Sequence, residues 1–170
     1  MNFHRSSASS PRARGDKAQA GAMLAATPQL RADLRPEHHV MLHRPAESGN
    51  AAVLDTMLAC GFDPAVADKD KVTALHKAAM AGQVDAVRVL LSYGAPVNAL
   101  DGMFSAQPLV WAVEGRNNPH RYSGDHVGVA RLLIAAGSAV DWTPPPGAPD
   151  PEHTIEALAE LRRAAVEGMR

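Results

Sequence analysis

One stretch constrains this chain more than any other: Asp70 to Asp101, DKVTALHKAAMAGQVDAVRVLLSYGAPVNALD, because it recurs. A shift of 33 residues lays Leu42-His43 on Leu75-His76, Ala46 on Ala79, Gly49 on Gly82 and Gly61 on Gly94. Going forward, Leu109 follows Leu75 by 34 residues, with Pro108 and Ala112 on either side. Leu133, Ile134 and Gly137 repeat Leu90, Leu91 and Gly94, but 43 residues later, so extra residues sit between Trp111 and Val127. A fixed period of this length is the signature of a solenoid, in which each unit touches only its neighbours.

The unit itself reads as helix, turn, helix and loop. Thr73 is placed to cap a helix with its hydroxyl, and Ala74 to Ala81 are good helix formers. Gly82 permits the left-handed backbone that ends it. Val84, Val87, Leu90 and Leu91 then share one apolar stripe of a second helix, which Gly94 stops. Ala95 to Asp101 is an extended, turning connector. A unit this small cannot bury its own stripe and needs neighbours.

TALHKAAMAGQVDAVRVLLSYGAPVNALD resembles an ankyrin repeat, whose pattern runs T-P-L-H-x-A-A-x-x-G and later L-L-x-x-G-A-x-V-N. The resemblance spans Arg35 to Asp141, with weaker first and third copies. It implies an all-α solenoid of stacked antiparallel helix pairs with β-hairpin-like fingers along one edge. It also implies a non-enzymatic adaptor that binds another protein through its concave face. In such repeats the matching Thr and His hydrogen-bond to each other and to backbone, tying neighbouring units together. Thr73 and His76 carry that role directly; His43 lacks its Thr and retains only part of it.

The expected organisation is a tail over residues 1–17, an N-terminal capping half-repeat over 18–34, and repeats over 35–68, 69–101 and 102–143. Residues 144–170 form a Pro-rich exit and a capping helix. The tail is Ser- and Arg-rich; a transit peptide is the sharper reading, but it shows no amphipathic helix. In the first repeat Pro45 lies inside the first helix, where a missing N–H and a crowding ring kink or shorten it. Val40 stands where the capping Thr would, so that helix is expected to start uncapped. In the third, Gln107 and Val110 replace Thr and His, and an insertion rich in Asn, Pro, Gly and Ser occupies about 114–126. Asp150-Pro151 restarts a helix whose Ile155, Leu158, Leu161 and Ala165 share a face.

Composition excludes more than it assigns. A net charge of −1 gives no electrostatic warrant for nucleic acid or a membrane surface. No apolar run approaches the roughly 20 residues that span a bilayer. Cys60 is the lone cysteine and precedes Gly61 at a helix end, a place for a small packed residue. A cytoplasmic monomer without cofactor is the expectation, and the abundance of Ala, Arg, Gly and Pro is compatible with a high-GC bacterial gene.

No catalytic or metal-binding residue is assigned. His39 and His43 have the spacing of helical metal ligands, but no third ligand is evident. His120, Asp125 and His126 lie in the insertion and read as solvated loop residues. A metal-dependent hydrolase using His39, His43 or His120 is the rival of another class. Partner contacts are expected at Met103, Phe104 and Trp111 as anchors, since large apolar groups on a short finger are hard to bury. Packing of Met103-Phe104 on Trp111 or the insertion is the alternative. Met80, Glu47 and Glu114 at first-helix ends, Lys69 and Asp70 on the first finger, and Arg121 and Tyr122 in the insertion complete the set. Lys69 and Asp70 read equally as a solvated turn. A regulator or inhibitor of one enzyme, reaching into its cleft with the insertion, is the alternative binding role.

Overall fold

The computed structural model describes residues 35–147 and 150–167, together with Ala22. The expected tail and N-terminal half-repeat therefore lie, but for that one residue, outside the described residues. Three helix pairs follow in order. The first holds α1 (Pro36–His39), a 3-10 turn (Val40–Leu42), α2 (His43–Glu47) and α3 (Ala51–Ala59). The second holds α4 (Ala74–Met80) and α5 (Val84–Ser92), and the third α6 (Pro108–Arg116) and α7 (His126–Ala135). The chain closes with α8 (Pro151–Glu167). Among the described residues there is no strand; the first finger holds a single antiparallel bridge, Ala67 to Thr73.

The first helices α2, α4 and α6 stack as one layer and α3, α5 and α7 as the other, with α8 against α6 and α7. Small residues make this spacing possible. Ala46, Ala78, Ala79 and Ala112 are wholly buried between Leu42, Leu75 and Leu109, while Leu54, Val87, Leu90, Val129 and Leu133 fill the second layer. Each layer is close-packed on its neighbours, so no unit carries a core of its own.

Helix ends follow the glycines. Gly82 takes φ +68°, and the next N–H, that of Gln83, returns to the Ala78 carbonyl at 3.0 Å. A Cβ on Gly94 would meet nothing within 4 Å, so its φ of +79° alone calls for glycine.

Pro45 has the foreseen effect on the first repeat. With no N–H to offer Met41, the segment before it tightens into the 3-10 turn, and α2 is only 5 residues long. The expected start at Val40 is displaced: helical structure begins at Pro36, where the Arg35 N–H donates to His38 Nδ1 at 3.1 Å.

The fingers are built by carboxylates. Asp68 Oδ1 accepts the N–H groups of Asp70 and Val72, both at 3.0 Å. Asp101 Oδ1 repeats this with Met103 at 2.8 Å and Phe104 at 2.6 Å. Lys71 and Ser105, at matching places, take φ +57° and +48°. The Gly102 N–H donates to the Asp70 carbonyl at 2.7 Å and joins one finger to the next.

In α8 the buried face is Thr154, Ala157, Leu158, Leu161 and Ala165. Ile155, expected on that face, is 46% exposed. It lies one residue, about 100°, round from the Thr154–Leu158–Leu161–Ala165 stripe and so turns outward.

Candidate recognition groove

Residues from five parts of the chain converge on an apolar groove of about 300 Å³. Met80 ends α4, Met103, Phe104 and Ala106 come from the second finger, and Val110, Trp111 and Glu114 from α6. Trp142 of the exit and Thr154 of α8 close the far wall. The repeat register explains the first seven, because first-helix ends and fingers recur along one edge.

Trp111, expected as a contact anchor, is half-buried. Its ring meets His76 edge to face at 5.3 Å, its Nε1–H donates to Asp101 Oδ2 at 2.6 Å, and Lys77 Nζ lies 5.5 Å from its centroid. Asp101, only 3% exposed, thus fixes the finger with one oxygen and the groove wall with the other. The two finger residues divide. Phe104 packs against the core, whereas Met103 is 58% exposed. Glu114 accepts the Thr154 hydroxyl at 3.0 Å, which holds α8 to the rim.

His76 lies beneath this wall, fully buried. Thr73 donates its N–H to Nδ1 at 3.1 Å and brings its hydroxyl to 2.9 Å from the same nitrogen. Nδ1 is therefore the acceptor and Nε2 carries the proton, which it donates to the Ala106 carbonyl at 3.1 Å. One side chain links its own helix cap to the following finger. Burial pushes its pKa down from the ordinary histidine value, against the opposing pull of the Ala106 carbonyl and Asp101.

His43, in the same register, is less complete. Its Nδ1 is 3.8 Å from Asp68 Oδ2, and its Nε2 is buried without a hydrogen-bond partner among the described residues. Burial lowers its pKa too, opposed first by Asp68. His39 Nδ1 accepts the Asp63 N–H at 2.7 Å, and its ring meets Phe62 edge to face. Among the described residues, no three His, Cys, Asp or Glu side chains gather as metal ligands would, and no helix is long and apolar enough to cross a membrane.

The remaining sequence candidates lie elsewhere. Glu47, Arg121 and Tyr122 line a separate polar cleft of about 490 Å³ with Gln83, Ser123 and Gly124. Tyr122 is not the outward contact expected of it: it is 8% exposed, and its hydroxyl reaches to 3.5 Å from Glu47 Oε1. Burial raises its phenol pKa, and the Arg121 guanidinium lies over the ring at 5.2 Å. Lys69 and Asp70 pair with each other at 2.8 Å.

The insertion is tied back onto the second repeat. The Asp125 N–H donates to the Gly82 carbonyl at 2.9 Å, and a Cβ on Gly124 would lie 2.2 Å from the Ala81 carbonyl. Asp125 caps α7 through the Gly128 N–H, at 2.8 Å. His126, read as solvated, is buried at 6%, with Nε2 3.0 Å from the Met80 carbonyl. That contact depends on Gly115, where a Cβ would fall 1.8 Å from the same carbonyl oxygen. Trp142 and Thr154 were also missed as groove residues, since neither belongs to the repeat register.

Residues 42–143 match the family model described as Ankyrin repeats (3 copies). Palmitoyltransferase Hip14 of Drosophila melanogaster is 34% identical over 90 residues, which is 53% of this chain and 13% of that protein. NF-kappa-B inhibitor cactus, from the same organism, is 35% identical over 86 residues, 50% of this chain and 17% of that protein. The chain thus spans less than a fifth of either relative. The crystal structure of the human ASB11 ankyrin repeat domain superposes with a TM-score of 0.57 at 23% identity, covering 75% of this chain and 53% of that one. That likeness concerns the fold.

Proposed function

Because the chain belongs to the ankyrin-repeat family, a family of protein–protein interaction modules, we propose that it binds a partner protein through the groove between its second and third repeats. The observation that carries this is the convergence of Met80, Met103, Trp111 and Trp142 on one apolar opening, with Met103 left 58% exposed. Seating one Leu- or Phe-sized side chain there contributes roughly 1.5–3 kcal/mol. Asp101 holds the finger and Trp111 in place beforehand, so little ordering cost falls on binding.

The inhibitor role, with the insertion entering a partner's cleft, has weaker support. Tyr122 and Gly124 hold the insertion against Glu47 and the Ala81-Gly82 turn, which leaves less of it to reach outward.

Affinity capture from native lysate tests the reading, with Met103→Glu as the control variant because its exposure leaves the fold unaffected. A protein retained by the wild type and lost by Met103→Glu is the expected result. Retention of the same set by both forms would remove the groove from the site. If neither form retains a specific protein, recognition itself is the wrong function.

A further inference from the structure

Three positions of the first-helix layer share one register: Arg44, Lys77 and Trp111, separated by 33 and 34 residues. They form a row across α2, α4 and α6, and Lys77 Nζ sits 5.5 Å from the Trp111 ring that walls the groove. Lys77 stands on α4, which packs between α2 and α6, and so lies between the first and third members of the row. Lys71 lies close by: its Cγ is 3.5 Å from where a Cβ on Gly102 would stand, beside Met103.

The charges of this face are unevenly engaged. Its carboxylates already hold partners: Asp101 takes the Met103, Phe104 and Trp111 donors, Asp68 takes two finger N–H groups, and Asp70 pairs with Lys69. Glu114 accepts from Thr154, and Glu47 faces the Tyr122 hydroxyl. Among the described residues, Arg44, Lys71 and Lys77 have no carboxylate within 4.0 Å. A chain of net charge −1 therefore presents Lys71 and Lys77 near its apolar groove, and Arg44 one repeat further along on α2, without carboxylate partners.

We propose that the partner offers an acidic peptide segment with one large apolar side chain: the apolar group seats between Met103 and Trp111, and carboxylates lie over Lys77 and Arg44. This rests on the groove reading above and adds the partner's chemistry to it. Neighbouring helices lie about 8–10 Å apart, and a peptide in the polyproline II form advances about 3.1 Å per residue with every third side chain on one face. Successive acidic residues should thus be about three positions apart. Charge complementarity of this kind sets specificity and encounter rate more than bulk affinity.

The test is selection of a phage-displayed library of random dodecapeptides on the wild-type protein, followed by Kd measurements on the enriched peptides. The expected consensus is one large apolar residue with Asp or Glu repeating about every third position. Binding should be abolished by Met103→Glu, weakened roughly tenfold or more by Arg44→Glu with Lys77→Glu, and weakened about threefold by Arg44→Glu alone. The single variant, at an exposed site, decides the matter if the double variant does not fold. Raising the salt concentration should weaken the peptides as well. Peptides that Met103→Glu abolishes, yet that carry no acidic preference or ignore the charge reversals, would overturn the acidic partner and leave the groove standing. Peptides that ignore Met103→Glu, or no enrichment at all, would overturn the groove reading itself.

Discussion

His76 and His43 hold the same place in successive repeats and do different work. His76 is fully buried, takes the N–H and hydroxyl of Thr73 on one nitrogen, and donates from the other to the next finger. His43 keeps one long approach to Asp68 and leaves Nε2 unmet among the described residues. The backbone explains why. Thr73 is extended, with φ −98° and ψ 168°, so its side chain and N–H face back over the helix. Val40 is helical, with φ −62° and ψ −18°, inside the 3-10 turn that precedes Pro45. A histidine becomes a staple between units only where a cap and a carbonyl are already in position; sharing the register is insufficient.

The largest effect expected from this contrast is on stability. His76→Ala removes a packed ring and orphans the Thr73 N–H in a buried site, at a cost of roughly 3–4 kcal/mol. His43→Ala, which surrenders one weak contact and an unmet nitrogen, should cost about 1 kcal/mol or less. Urea unfolding of both variants gives the comparison directly. Costs within about 1 kcal/mol of each other would mean that the hydrogen bonds around His76 are not what separates the two repeats.

Pro45 provides the next test, from the other side of the comparison. Replacing it by Ala restores an N–H for the Met41 carbonyl and lets the turn relax to α-helix. Against that, it loses some buried ring and frees the unfolded chain. The net gain should be about 1 kcal/mol, with new amide-exchange protection at residue 45 and its neighbours. A destabilised variant with the 3-10 turn intact would show that the turn has another cause.

Much of this layout was legible because a repeat converts sequence position into spatial position. Met80, Met103, Phe104, Trp111 and Glu114 meet in one groove because fingers and first-helix ends recur in register. Pro45 announced its own disruption, since a missing N–H inside a helix has one consequence. What the sequence hid lies outside the period. Trp142 and Thr154 reach the groove from the exit and the closing helix, whose path no spacing specifies. Tyr122 turns inward and His126 finds the Met80 carbonyl because two glycines, Gly115 and Gly124, let backbones approach closely. Asp101 read as the end of a connector, and nothing in its neighbours signalled that Trp111, ten residues on, would become its partner.

Acidification should separate the histidines more gently. Both have pKa values held below the ordinary 6.5 by burial, so the native state binds fewer protons than the unfolded chain once the pH falls past that value. Stability is then full above about pH 6.5 and declines as the pH drops toward the lowered native values, by at most about 1.4 kcal/mol per pH unit for each proton taken up. His76→Gln should flatten the acid limb more than His43→Gln, because His76 is fully buried whereas the His43 side chain is 12% exposed. Urea midpoints taken across this range give the slopes; equal flattening by the two variants would contradict the difference in their surroundings.

The smallest expected effect isolates the backbone from the side chain. Val40→Thr places in the first repeat the hydroxyl that Thr73 supplies in the second. A capping hydroxyl requires an extended residue, and Val40 is helical, so the substitution alone should change stability by no more than about 0.5 kcal/mol. Combined with Pro45→Ala, which lets the turn re-form, it should gain more than the two changes do separately, by about 0.5–1 kcal/mol of coupling. If Val40→Thr stabilised the protein by more than about 1 kcal/mol on its own, the cap alone would have been missing and the distortion before Pro45 would be its consequence. With coupling present only in the double variant, the order runs the other way: proline sets the backbone, the backbone denies the cap, and the uncapped helix leaves His43 half-used.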